Sequence, residues 1–348
     1  MLVFALALVS SGPALPDPDA CRRALAAAPA YSVCTPTGNG VALAGDRKNA
    51  DALAAHARAG EPRFRTYFGR TIAPYAITST PPALDGRVLR AAGFVHVLPW
   101  PDPESFERAT REGIERAARQ FGTSQGMTTA QIDQVVARAL ANAGADGGKA
   151  ALDAGMVPHE LGHLWFTHAF WPDAGKGESA GTNHYGGPGP DWLDELAAIL
   201  MEDEPTAMRR RAQFRSLLAG EVLPAIGPVA GRETMLDLKG FLSRAHPALS
   251  RVLSAPPKMP AGGGIALVYT PAGGGGVNSA VQERLFYIQA RAFADFMLER
   301  TGRPTVFAEI AESLAQGRSF EAWLGTRGPA LGLPATIDAL EAQWRAKL

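Results

Sequence analysis

Residues 157–170 read VPHELGHLWFTHAF, and no other stretch narrows the possible folds so far. His159 and His163 are four residues apart. On a helix that spacing puts both imidazoles on one face, a turn apart. Glu160 sits beside them. Two imidazoles and an adjacent carboxylate on one helix are the arrangement in which a zinc ion holds water and the Glu acts as base. With only 7 His in the chain, an H-E-x-x-H match is expected by chance far less than once. A chain carrying this motif must build a helix here and bring at least one further ligand to it. Pro158 suits the first turn of that helix, and Pro172 stops it, so the predicted helix spans 158–170.

A water-activating zinc site takes three protein ligands and keeps one position open. Continuation as H-E-x-x-H-x-x-G-x-x-H is excluded, because Phe166 and Ala169 occupy the Gly and final His positions. His168, five residues past His163, points away from the pair and reads as a surface or supporting residue. His96, in a predicted strand, reads as a strand-face imidazole with a hydrogen-bond partner. His184 lies in a glycine-rich stretch that can border a cleft. Residues 191–201, DWLDELAAILM, are a predicted helix carrying Asp194 and Glu195. Adjacent helix residues point about 100° apart, so these two should not both bind one ion. The residues alone leave His184, Asp194 and Glu195 open as the third ligand.

HELGHLWF followed by DWLDELAA resembles the gluzincin peptidases of the aminopeptidase-N and leukotriene-hydrolase type. Their pattern is H-E-x-x-H-x-W-F, then W-L-x-E-G-x-A. Trp165 and Phe166 match the first element; Trp192, Leu193 and Glu195 match the second. The resemblance implies Zn²⁺ as cofactor, with His159, His163 and Glu195 as its ligands and Glu160 as general base. Residues 287–302, YIQARAFADFMLERTG, are similar to a helix of the same peptidases that opens on a Tyr and closes on Leu-Glu-x-x-Gly. That implies Tyr287 as the donor to a developing oxyanion. The resemblance covers about 156–348. Leu196 stands where the family carries Gly, and the interval between the two motifs is longer. The family's Gly-x-Met-Glu-Asn segment is missing, so the Glu that holds a free amine is missing too and aminopeptidase specificity is not implied.

The resemblance implies a thermolysin-like, two-lobed α+β zincin. A mixed N-terminal lobe would span 21–150, and the zinc helix with a mostly helical C-terminal lobe would span 151–348. The implied reaction is zinc-dependent hydrolysis of peptide bonds in a peptide or protein substrate. Two further readings fit the same residues: an inactive zinc-binding or interaction module, and a non-peptide hydrolase on the same scaffold.

Composition agrees with this scale. A chain of 348 residues with 46% hydrophobic content can build two lobes. Lys+Arg and Asp+Glu are equal at 34 each, so no basic field points to nucleic acid. No apolar run is long enough for a transmembrane segment. Met1 to Val9 is apolar and short, with small residues and prolines behind it. Residues 1–20 therefore read as a signal segment, which predicts export to a periplasmic or extracellular space. Cys21 and Cys34, the chain's 2 cysteines, then predict a disulfide. Elsewhere, a helix over 47–59 should end at Glu61-Pro62, with strands at 72–78 and 93–98. Helices are expected at 104–121, 129–143 and 279–300.

Overall fold

The computed structural model describes residues 17–80, 84–143, 148–173, 187–221, 223, 235–247 and 277–347. Residues 1–16 of the expected signal segment, and His184, lie outside these. The described N-terminal region mixes a small sheet with helices, and the C-terminal region is largely helical. The architecture is α+β.

The sheet has four strands: β1 (Val33–Pro36), β2 (Gly40–Ala44), β3 (Tyr75–Thr80) and β4 (His96–Pro101), in that spatial order. β1 and β2 are antiparallel, and the pairs β2–β3 and β3–β4 are parallel. Both parallel pairs are joined through helices, α2 (Arg47–Phe68) and α3 (Gly86–Ala91). Alternation along the strands sorts the side chains to two faces. Val41, Leu43 and Ala76 face a small core closed by α1 (Ala20–Ala27) and α3. Ala42, Tyr75, Ile77 and Leu98 face the main core. The Cys21–Cys34 disulfide ties α1 to β1.

Two helices run on through prolines at which the sequence predicts an end or a start. α2 begins on an Asp46 cap, whose carboxylate accepts from Asn49 N at 2.8 Å, and continues through Pro62 to Phe68. An interior proline costs about 3 kcal/mol. Phe64 and Phe68, beyond it, are buried against Trp165, Phe166 and Phe170. Burying each contributes about 1.5–3 kcal/mol, which offsets the proline. The motif helix, α6, spans Gly148–Phe170 rather than 158–170, so Pro158 is interior and not in the first turn. Val157 and Leu161 on either side are buried in the same core. Pro158 meets α2 at Gly60, where an added Cβ would stand 2.8 Å from the proline's own.

α4 (Pro103–Ser124) and α5 (Thr129–Ala143) form a pair between β4 and α6. After α6 come α7 (Asp191–Ile199), α8 (Glu204–Leu218), α9 (Leu238–Ser243), α10 (Val277–Thr301), α11 (Val306–Ala315), α12 (Phe320–Arg327) and α13 (Ile337–Arg345). α7 is the centre of this region, with all nine residues buried. Trp192 anchors it through edge contacts to Phe293 on α10 and Phe320 on α12. Among the described residues no helix is long and apolar enough to cross a membrane.

Candidate metal centre

α6 and α7 lie against each other with almost no gap at Gly162. A Cβ there would meet Met201 Cγ at 2.8 Å and the Ala198 Cα at 2.9 Å. The missing side chain lets the two helices approach closely enough for α7 to reach both imidazoles of α6. Gly155, two turns earlier, does the same against α8, where a Cβ would stand 2.4 Å from Thr206 Oγ1.

At this contact His159, His163 and Glu195 come together, all buried, with one ligand atom from each within 4.8 Å of the others. Glu195 Oε1 is 3.4 Å from His159 Nε2, and Oε2 is 3.7 Å from His163 Nε2. Neither separation is that of a charge-assisted hydrogen bond, about 2.7–2.9 Å. The first is close to the spacing of neighbouring ligands around a tetrahedral zinc, about 3.3 Å for bonds of 2.0–2.1 Å, and the second, to the other oxygen, is longer. The residues therefore fit a divalent ion such as Zn²⁺.

The outward nitrogens of both imidazoles are occupied. His163 Nδ1 is 2.9 Å from Asp194 Oδ2, and His159 Nδ1 is 3.0 Å from Glu202 Oε1. A carboxylate on Nδ1 fixes ring orientation and leaves the Nε2 lone pair for an ion. Asp194, open as a rival ligand in the sequence, thus holds an imidazole instead. Glu202 is itself held by Arg210 on α8, whose Nε donates to Oε2 at 2.7 Å and whose Nη2 donates to Oε1. The Arg210 guanidinium lies over the Tyr287 ring, 5.0 Å from its centroid. That ring is also 6.0 Å from the His159 ring, so Tyr287, on α10, borders the cluster.

The charges follow this wiring. Burial disfavours a charged His163, but Asp194, Glu195 and Glu160 outweigh it and hold its pKa at about 10. Burial likewise opposes ionisation of Glu195, yet His159, His246 and His163 pull it to about 2. Glu202 is lowered, because Arg210 more than offsets its burial. Glu160 is the exception: burial raises it, against the pull of His159 and His163. Its residue is half-buried, and Oε2 is sealed without a hydrogen-bond partner among the described residues. A carboxylate destabilised in its charged form is disposed to accept a proton.

His246, after α9, also reaches the cluster, with Nε2 3.3 Å from Glu195 Oε2. Trp165 and Phe166 of the motif belong to the core. His168 is half-buried and meets His96 edge-on, with centroids 5.1 Å apart. His96 Nε2 is sealed without the expected hydrogen-bond partner among the described residues, and burial lowers its pKa to about 4. Glu202, Arg210 and His246 escape a reading of the sequence. A signal existed for the first. Asp191, Asp194, Glu195 and Glu202 punctuate a segment otherwise apolar, and buried acids demand partners.

No protein-family model, no curated protein and no solved structure matches the chain.

Proposed function

We propose that the chain is a zinc metallopeptidase of the gluzincin type, on a thermolysin-like two-lobed scaffold, acting on a peptide or protein substrate. One observation carries the reading: His159, His163 and Glu195 converge at ligand spacing while buried carboxylates hold both outward imidazole nitrogens. That is more support than a chance approach of three polar side chains would have. The lobes would meet near residue 150, as 21–150 and 151–348. Export would provide the oxidising setting in which Cys21 and Cys34 remain bonded.

Zinc, when bound, supplies Lewis acidity and lowers the pKa of water towards about 7. His159, His163 and Glu195 would hold it. Glu160 takes a proton on its carboxylate and returns it to the leaving amine. Its raised pKa suits both halves of that task. Tyr287 donates its hydroxyl to charge developing on the scissile carbonyl oxygen. Its placement beside His159 supports this role.

Metal analysis of purified protein and cleavage of a broad peptide library test the reading together. One zinc per chain with cleavage that Glu160→Gln abolishes is the expected result. Zinc with no cleavage would leave a metal-binding module, and no stoichiometric metal would overturn the proposal.

A further inference from the structure

His246 touches one member of the ligand set without belonging to it. Neither of its ring nitrogens joins the atoms that lie within 4.8 Å of one another. Ligands of one zinc, each at 2.0–2.1 Å, are at most about 4.2 Å apart. His246 is therefore outside the ion's immediate shell, although its Nε2 is 3.3 Å from Glu195 Oε2.

The contact is built by the same helix that carries the ligand. Asp191, four residues before Glu195 and on the same face of α7, accepts the His246 backbone N–H on Oδ2 at 2.6 Å. One helix face thus holds the backbone of His246 and meets its ring. Pro247 restricts the residue before it to extended backbone. The ring lies against two neighbours on α10: Phe286, at 5.1 Å and nearly perpendicular, and Tyr287, at 5.7 Å. Arg244 donates to Gln282 at 2.8 Å and ties the same segment to α10. The side chain is fully buried.

We propose that His246 is a positioning residue whose ring nitrogen pairs with Glu195 Oε2 at ion-pair distance and leaves Oε1 as the single oxygen offered to the metal. The inference rests on the metal-centre reading given above. A carboxylate can bind an ion through one oxygen or both. An unrestrained Glu195 would swing to chelate, filling a position that water or substrate must occupy. His246 keeps that position open.

The test uses His246→Phe, which retains an aromatic ring between Phe286 and Tyr287 but has no N–H, and His246→Gln, which restores a donor. Wild type and both variants are stripped of metal, and their thermal unfolding is recorded. Zinc affinity is then measured by competition with a chromophoric chelator, and cobalt-loaded samples give the visible spectrum. His246→Phe should bind zinc about 10–100-fold more weakly. Its cobalt absorption should weaken as coordination number rises, and His246→Gln should recover most of both properties. Zinc affinity of His246→Phe within about twofold of wild type, with an unchanged cobalt spectrum, overturns the proposal. If His246→Phe does not fold, a crystal structure of zinc-loaded wild type decides: one Glu195 oxygen on the ion supports the proposal, and two overturn it. Wild-type protein that takes up no zinc overturns the metal reading and this inference with it. Wild-type uptake with an indifferent His246→Phe overturns this inference alone.

Discussion

Asp194 Oδ2 stands 2.9 Å from His163 Nδ1, while the next residue along α7 faces the other nitrogen of the same ring. Two consecutive acids thus grip one imidazole from both ends. Their directions, about 100° apart on the helix, are what make the grip possible. Asp194→Asn should keep the fold and lower zinc affinity by about 10–100-fold, measurable by chelator competition. Unaltered affinity would mean that Asp194 does not orient the ring.

Glu202 has a second obligation. It holds His159 and also neutralises Arg210, which is buried. Glu202→Ala should therefore cost about 3–5 kcal/mol of stability, because it leaves a buried guanidinium without its carboxylate. Asp194→Ala also strips a carboxylate from a buried cation, but the His163 imidazolium can shed its proton where a guanidinium cannot, so it should cost less. Chemical denaturation of the metal-free variants compares them directly.

Proton linkage is expected to shape metal uptake. The folded His163 pKa, about 10, lies above its ordinary value of 6.5. Its stabilisation is fully present below pH 6.5 and is lost as pH rises through 10. The folded Glu195 pKa, about 2, lies below its ordinary 4.5. Its stabilisation is present above 4.5 and is lost as pH falls towards 2. Metal-free protein should therefore melt highest between about pH 4.5 and 6.5. A zinc ion must displace the His163 proton, so affinity should rise about tenfold per pH unit between 6.5 and 10. Calorimetry in buffers of different ionisation heat counts the released proton, and a count of zero would contradict the wiring described.

Gly162→Ala separates packing from chemistry. Alanine is ordinarily the better helix residue, by about 1 kcal/mol. Here its Cβ would run into Ala198 Cα and Met201 Cγ, so a net loss of about 1–3 kcal/mol is expected. Because α7 would have to move outward, zinc affinity should fall along with stability. Melting curves and chelator competition on the same samples read both. A stabilised variant with normal zinc binding would disprove the close approach.

Glu160→Gln preserves shape and removes the base. Peptide cleavage should drop by roughly 10²–10⁴-fold while bound zinc stays at one per chain. A variant that cleaves normally would move the base elsewhere.

Much of this site was legible because it depends on short-range helical spacing. His159, Glu160 and His163 follow from a five-residue pattern, whereas Glu195 is singled out from His184 and Asp194 only by the resemblance of DWLDELAA to the peptidase pattern. Where the sequence misleads, contacts between distant segments decide. Pro62 and Pro158 look like helix boundaries, and local propensity supports that. Phe64 and Phe68, packed on Trp165 and Phe166, overrule it across a hundred residues of sequence. β1 and β2, with the short segments VCTP and GVALA, give too weak a pattern to read as strands before their partners are known. His246 is illegible for the same reason. Nothing within ten residues of it marks a metal site, and its meaning comes only from Asp191 and Glu195.

The acids of α7 also set a rule about chain length. Asp191, Asp194 and Glu195 address the backbone of one residue and the rings of three different histidines. Each depends on its angular phase around a single nine-residue helix. One residue inserted or deleted between 191 and 195 would rotate the later side chains by about 100° relative to the earlier ones. All of these contacts could not then be made at once. Related chains that work the same way should vary freely in the identity of the apolar residues here, but never in their number.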